Sequence, residues 1–184
     1  MSSVRRRSGQ VVLSLTPEER HIVTGLVTAV RGMLAGDDEE GAPAPDTDPL
    51  AALTGMSDAP VETPDDPVLR RLLPDAYDDP GESAEFRRLT DADLRARKTE
   101  ALDRVLADVA VEPPVSLDPD EGVGMWVQAL NDIRLVLGTR LDVTEDWTES
   151  FESLPPDDPQ IPLFLFYDWL SMLQDSLVTA VMTD

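Results

Sequence analysis

The sequence predicts a mainly α fold: a single helical-bundle-like domain with a short N-terminal β strand or hairpin and a long acidic, partly disordered loop. Three observations lead there. First, Met125 to Leu141 (MWVQALNDIRLVLGTRL) sets Trp126, Leu130, Ile133, Leu137 and Leu141 at steps of four, three, four and four residues, the spacing of one helix face. Second, other stretches repeat that spacing, and several open on Thr-Pro or Asp-Pro, pairs suited to a cap and a first helical turn. Third, between Asp37 and Glu82 fourteen acidic residues stand against two arginines, with eight of the sixteen prolines, too little apolar surface to offset chain entropy. Residues 1–184 therefore read as one domain, with 37–65 as a flexible, acidic, proline-rich insertion within it.

In chain order, Val4 to Gly9 (VRRRSG) leads into Gln10 to Leu15, whose β-branched content suits a strand, with a turn at Ser8-Gly9. Arg5, Arg6 and Arg7 read as a solvated basic arm, and they are the one candidate for contact with an anion. Thr16-Pro17-Glu18-Glu19 has the pattern of a capping box, in which a threonine and a glutamate three residues on satisfy each other's backbone N–H groups. The helix after it should bury Val23, Leu26, Val27, Val30 and Leu34, with Ile22 and Met33 at the margin and Gly36 as its stop. His21 falls almost opposite that face and is expected at the surface. Within the acidic segment, Asp48-Pro49 and Asp66-Pro67 each offer a short helix. The second is the stronger, with Leu69, Leu72 and Leu73 on one face, Arg70 and Arg71 turned away, and Tyr77 packed nearby.

Ser83 to Leu89 reads as a short helix, followed by a fresh cap at Thr90-Asp91 and a longer helix burying Leu94, Ala101, Leu102, Val105, Leu106 and Val109. Along it Asp91–Arg95, Asp93–Arg97 and Glu100–Arg104 are spaced i,i+4, each worth only about 0.2–0.5 kcal/mol. Pro113-Pro114 ends that helix, and Asp118-Pro119 starts the central one. On the central helix Gln128, Asn131 and Asp132 fall on the remaining polar arc, and Gly138 suggests close approach by a neighbouring backbone. Thr144-Glu145-Asp146 can cap a short helix carrying Trp147 and Phe151. The last segment, from Asp158-Pro159, is the most aromatic. It places Leu163, Phe166, Leu170, Leu173, Leu177 and Val181 on one stripe, broadened by Leu165, Trp169 and Met172 into a surface that a dimer or a partner could cover.

Composition excludes several function classes. The 184 residues carry a formal net charge of −22, which repels nucleic-acid phosphates, and no helix has the basic face of a DNA reader. Direct DNA binding is therefore not expected. Cysteine is absent, removing disulfides, thiolate metal ligands and thiol switches. No stretch approaches the roughly 18 apolar residues of a membrane helix, so a cytoplasmic location is expected. With one histidine, no glycine-framed serine and no calcium-loop pattern after Asp118, no catalytic residue, metal site or cofactor is expected, and the chain does not read as an enzyme. A small-molecule pocket has no residue-level signal.

Three strings carry a resemblance: Glu85-Phe86-Arg87-Arg88-Leu89-Thr90; Leu130-Asn131-Asp132-Ile133-Arg134-Leu135-Val136-Leu137-Gly138-Thr139-Arg140-Leu141; and Tyr167, Trp169 and Leu170. Together they resemble an actinobacterial family of about this length, classed as a domain of unknown function, and the likeness spans nearly the whole chain. The resemblance implies a transcriptional regulator of the oxidative-stress response, a label some members carry. The alternative it implies is an adaptor or partner in Clp-type regulated proteolysis, because members are commonly encoded near the ClpS adaptor. Glu85, Phe86, Arg87, Arg88, Asn131, Asp132, Arg134, Arg140 and Trp169 are the signature or interaction residues it marks. A thiol-sensing version of the family cannot carry over to a chain without cysteine. Acidic charge then favours action through a protein partner, a sigma factor or polymerase or alternatively Clp components, and a homodimer is a further expectation. Asn131 and Arg134 sit at the margin of a buried helix, where hydrogen bonding to neighbours is expected, with Arg134 pairing to an acid on an adjacent helix.

Overall fold

A computed structural model describes residues 2–35 and 63–183, so the expected insertion up to Glu62, the Gly36 stop and the Asp48-Pro49 helix lie outside the described residues. The chain begins with two strands, β1 (Ser3–Arg7) and β2 (Gln10–Ser14), joined where Ser8 and Gly9 adopt φ of 52° and 82°. Positive φ at both central residues twists a two-residue turn to match an antiparallel pair, and glycine adopts it without strain. The pairing runs Ser3 to Ser14 through Arg7 to Gln10, so Arg5 to Arg7 belong to a strand and are not a free arm. A third strand, β3 (Val115–Leu117), pairs antiparallel with the other edge of β2. Three residues are too few for a periodic signal, and only the return of the chain after Pro113-Pro114 creates it. Val11, Leu13 and Leu117 point inward and are fully buried or nearly so.

Helix α1 (Pro17–Ala35) follows the capping box as expected: the Thr16 hydroxyl accepts from Glu19 N at 3.2 Å and Glu19 Oε2 accepts from Thr16 N at 2.9 Å. Val23, Val27, Val30 and Leu34 form its buried stripe, and His21 is exposed. Asp66 caps α2 (Pro67–Leu72), accepting from Val68 N at 2.7 Å. Its buried side is Val68, Leu72 and Leu73, with Leu69 only half-buried.

The expected break at Thr90 is absent. Asp79 caps one continuous helix, α3 (Pro80–Ala110), accepting from Glu82 N at 2.9 Å. The Thr90 hydroxyl donates back to Phe86 O at 2.9 Å, and Asp91 pairs with Arg87 behind it and Arg95 ahead of it, tying the helix across the anticipated boundary. A capping residue starts a helix only where the preceding chain is not already helical. Of the three expected i,i+4 pairs only Asp91–Arg95 forms. Arg104 turns from Glu100 to Asp108, which also accepts from the indole of Trp126 at 2.8 Å.

Helix α4 (Glu121–Arg140) is the centre, packing against α1, α2, α3, β3 and the last helix. Asp118 works as its cap, accepting from the backbone N–H groups of Asp120 and Glu121, each at 3.0 Å. Trp126, Ala129, Leu130 and Ile133 have no exposed surface, and Val136 and Leu137 almost none. After α5 (Trp147–Glu152), α6 (Ile161–Met182) lies along α4 and reaches β1 and β2. Its stripe starts one residue later than expected: Phe164 is buried and Leu163 is not, because Phe164 stacks on Trp147 with ring centroids 6.1 Å apart. Phe166 is only half-buried, while Leu165 and Met172, seven residues apart on one side of α6, are about half exposed. No described helix is long and apolar enough to cross a membrane.

One residue departs sharply from its expected place. Asp132 is fully buried, although the helical wheel set it on the polar arc, and its Oδ1 meets the Lys98 ammonium of α3 at 2.5 Å. Burial pushes the Asp132 carboxyl up from its ordinary range and the Lys98 charge opposes that shift. Burial thus works against the charged form of Asp132, and the Lys98 ammonium offsets part of that cost. Lys98→Met should therefore cost about 3–5 kcal/mol in urea unfolding, and Lys98→Met combined with Asp132→Leu should recover most of that loss. A single variant as stable as the parent would show that the pair does not hold α3 to α4.

Candidate functional site

Tyr77, Phe86 and Leu89 are 50%, 42% and 58% exposed, in a chain whose other large apolar side chains mostly face inward. They line one shallow groove of about 740 Å3, with the carboxylates of Asp79, Glu82 and Glu85 at its edge. The Tyr77 ring meets Phe86 edge-on, centroids 5.7 Å apart. Phe86 and Leu89 are three residues apart on α3, and Tyr77 comes from the loop just before that helix. Gly81, in the first turn of α3, also lines the groove.

Beneath the groove, Arg87 holds the loop to the helix. Its side chain is 6% exposed; Nη2 donates to Asp75 Oδ1 at 2.8 Å and to Leu73 O at 3.1 Å, and Nη1 reaches Asp91 at 3.5 Å. Asp75 also accepts from the hydroxyls of Thr63 and Ser83. These donors, the Arg87 guanidinium first, hold the Asp75 carboxyl at about 2, well below its ordinary 3.8. Arg88 Nη2 lies 2.8 Å from Glu85 Oε1, and that hydrogen bond lowers the Glu85 carboxyl as well. The arrangement is a rigid helix face with two aromatic rings and a leucine, framed by negative charge. Chemically it suits an apolar anchor flanked by cations.

Of the signature residues, the structure brings Glu85 and Phe86 to this groove, sets Arg87 under it as the tie, and places Arg88 alongside as the partner of Glu85. The others are dispersed. Asn131 is exposed on α4, and Asp132 is the buried partner of Lys98. Arg140 is exposed in the last turn of α4, where a cation suits the helix end. Trp169 is half-buried, and its indole donates to Ser2 Oγ at 3.2 Å. Among the described residues Arg134 has no acid partner: Nη1 donates to Gln174 Oε1 at 2.9 Å, and its guanidinium lies 5.3 Å from the centroid of the Tyr167 ring. Gly138 faces that same ring and not a neighbouring backbone; an added Cβ would lie 3.4 Å from Tyr167 Cε2.

The three N-terminal arginines divide by strand alternation. Arg6 donates to Val181 O at 3.0 Å and Thr183 O at 3.2 Å, closing the end of α6, while Arg5 and Arg7 are exposed on the opposite sheet face. Tyr77 and Leu89 were not legible as functional, since a lone aromatic in an acidic loop and a leucine in a helical stripe both look like core. For Leu89, its place in the Glu85 to Thr90 string and its position off the stripe from Ala101 to Val109 are the signals that set it apart.

The chain belongs to the DUF2017 family, a domain of unknown function whose model matches residues 1–181. Among curated proteins, it is 32% identical over 185 residues to the oxidative stress regulator AosR of Mycobacterium bovis and equally to that of Mycobacterium tuberculosis H37Rv, covering 92% of this chain and 81% of each relative. No solved structure shows a significant match.

Because the Asp75 carboxyl is lowered in the folded state, its network stabilises the fold above the ordinary value of 3.8 and loses that effect as pH falls through about 2. Asp75→Asn should flatten the stability profile between those two values and raise the exchange of the Tyr77 amide at neutral pH, both measured by hydrogen exchange and acid unfolding. An unchanged acid limb would exclude Asp75 as the anchor of the loop.

Proposed function

We propose that this chain is a non-enzymatic regulatory protein of the oxidative-stress response that acts on transcription through protein contacts, with a sigma factor or RNA polymerase as its partner. The groove of Tyr77, Phe86 and Leu89 within its acidic rim carries this reading. Exposed aromatic side chains on a rigid support are what protein interfaces use as anchors. A rim of Asp79, Glu82 and Glu85 favours a partner that presents lysines and arginines, as proteins that handle DNA do. The regulatory part of the reading comes from the AosR relatives, whose names describe oxidative stress regulators. Charge sets the mode of action: with a net −22, attraction to DNA has to be borrowed from a partner. The absence of cysteine means that whatever signal reaches this chain is not a disulfide formed within it.

The test is direct binding of the purified chain to purified polymerase, to stress-response sigma factors and to Clp adaptor and unfoldase components. Phe86→Ala is expected to weaken the polymerase or sigma-factor complex by about tenfold or more, with unchanged unfolding, and added salt should slow association. Binding to Clp components alone would move the chain to regulated proteolysis. Full affinity in Phe86→Ala would remove the groove from the interface.

A further inference from the structure

A second concavity, of about 240 Å3, opens where α2, α4 and the loop after α4 meet α6. Arg71 enters it from α2, Arg134 and Thr139 from α4, Asp142 from the loop and Tyr167 from α6. Several arginines of this acidic protein are engaged elsewhere: Arg31, Arg87, Arg95 and Arg104 pair with carboxylates, and Arg6 and Arg20 close the carbonyl ends of helices. The two at this concavity have no carboxylate partner among the described residues, and unlike the exposed Arg5, Arg7 and Arg140 they share one space. Among the described residues Arg71 makes no hydrogen bond or ion pair, and Arg134 has only the neutral Gln174 amide and the face of Tyr167. Arg134 Nε is buried without an acceptor. Among the described residues two guanidinium groups thus face one space with one carboxylate, Asp142.

The walls of this space are built. Tyr167 lies beside α4 at Gly138, and that ring and Gln174 together set the plane of the Arg134 guanidinium. Asp142 adopts φ of 50°, and Val143 N donates to Gly138 O at 2.8 Å, folding the loop over the end of α4. Leu135 and Val143 supply apolar sides. The Thr139 hydroxyl donates to Leu135 O, which leaves its oxygen free to accept.

We propose that this concavity binds a small aliphatic carboxylate, held by the Arg134 guanidinium with Arg71 closing from α2. A guanidinium whose plane is already set matches the two oxygens of a carboxylate, and little ordering is left to be done on binding. Leu135 and Val143 suit a short hydrocarbon body, and Asp142 and Thr139 can accept from a hydroxyl or ammonium on it. The volume lies below that of pockets for drug-sized ligands, which points to a metabolite of few carbons. The overall negative field works against polyanions and so against nucleic acid at this place. The site stands apart from the acidic groove and does not rest on the partner proposed for it.

The full chain, labelled for NMR, is titrated separately with succinate, inorganic phosphate and sodium chloride at constant ionic strength. Succinate should shift the Gly138 amide and the Arg134 side-chain resonances in a saturable way, in the millimolar range. Arg134→Gln and Arg71→Gln should each weaken this by about tenfold, Arg134→Lys should weaken it as well because it keeps charge but loses the fork, and Arg7→Gln should not matter. Amide spectra of each variant establish that it is folded. The proposal is overturned if no saturable shift occurs at these resonances, if Arg134→Gln responds as the parent does, or if phosphate saturates them more tightly than succinate.

Discussion

The burial of α4 is the constraint on which this structure depends. Trp126, Ala129, Leu130, Ile133, Val136 and Leu137 leave that helix only a narrow strip to water, through Gly124, Gln128 and Asn131, so α1, α2, α3, α6 and β3 all close around the rest. A helix so enclosed can carry a charge only if another comes with it. Lys98 does this for Asp132, and the pair crosses the α3–α4 contact where a one-turn slip would separate it. The N-terminal sheet then serves as a lid over one end of the bundle. Its inward residues Val11, Leu13 and Leu117 complete the core, while the register of β1 brings Arg6 to the last carbonyls of α6.

Scarcity of cations shapes the rest. Fifteen lysines and arginines serve a chain with thirty-seven acids, and several of them are spent on helix ends that lack a basic residue of their own. Arg20 reaches Val109 O at the end of α3, Arg95 reaches Leu34 O at the end of α1, and Arg6 does the same for α6. Each satisfies carbonyls that the helix leaves open and places positive charge at the negative end of the dipole. These contacts tie distant parts of the chain together. They also leave few positive groups to meet anything outside it, and Arg71 and Arg134 are two that share one concavity beside Tyr167.

Much of the architecture was legible from local rules because local chemistry decided it. The reciprocal hydrogen bonds of Thr16 and Glu19, the caps at Asp66 and Asp118, the turn at Ser8-Gly9 and the buried spacing of α1 and α4 all depend on neighbours within a few residues. Where local rules conflicted, they failed. Thr90 and Asp91 have capping chemistry, yet they continue α3, because the ion pairs of Arg87 and Arg95 on either side favour an unbroken helix. Phe164 displaced Leu163 from the α6 stripe because Trp147, outside that helix, offered a flat ring to stack on.

The candidate sites were legible only in part. Glu85, Phe86 and Arg134 were marked by resemblance, but nothing within ten residues of Phe86 says that its ring faces solvent while Arg87 beside it is buried. The sequence by itself determined the helical class, the helix starts, the hairpin, the acidic field and the absence of thiol chemistry, since each follows from composition or from spacing along one segment. The tertiary structure alone decided that Asp132 is interior, that Tyr77 joins Phe86 and Leu89 in one groove, and that Arg71 and Arg134 share a cavity. Each of those outcomes is set by which helix faces which, a relation between residues far apart in the chain that periodicity along one segment does not contain.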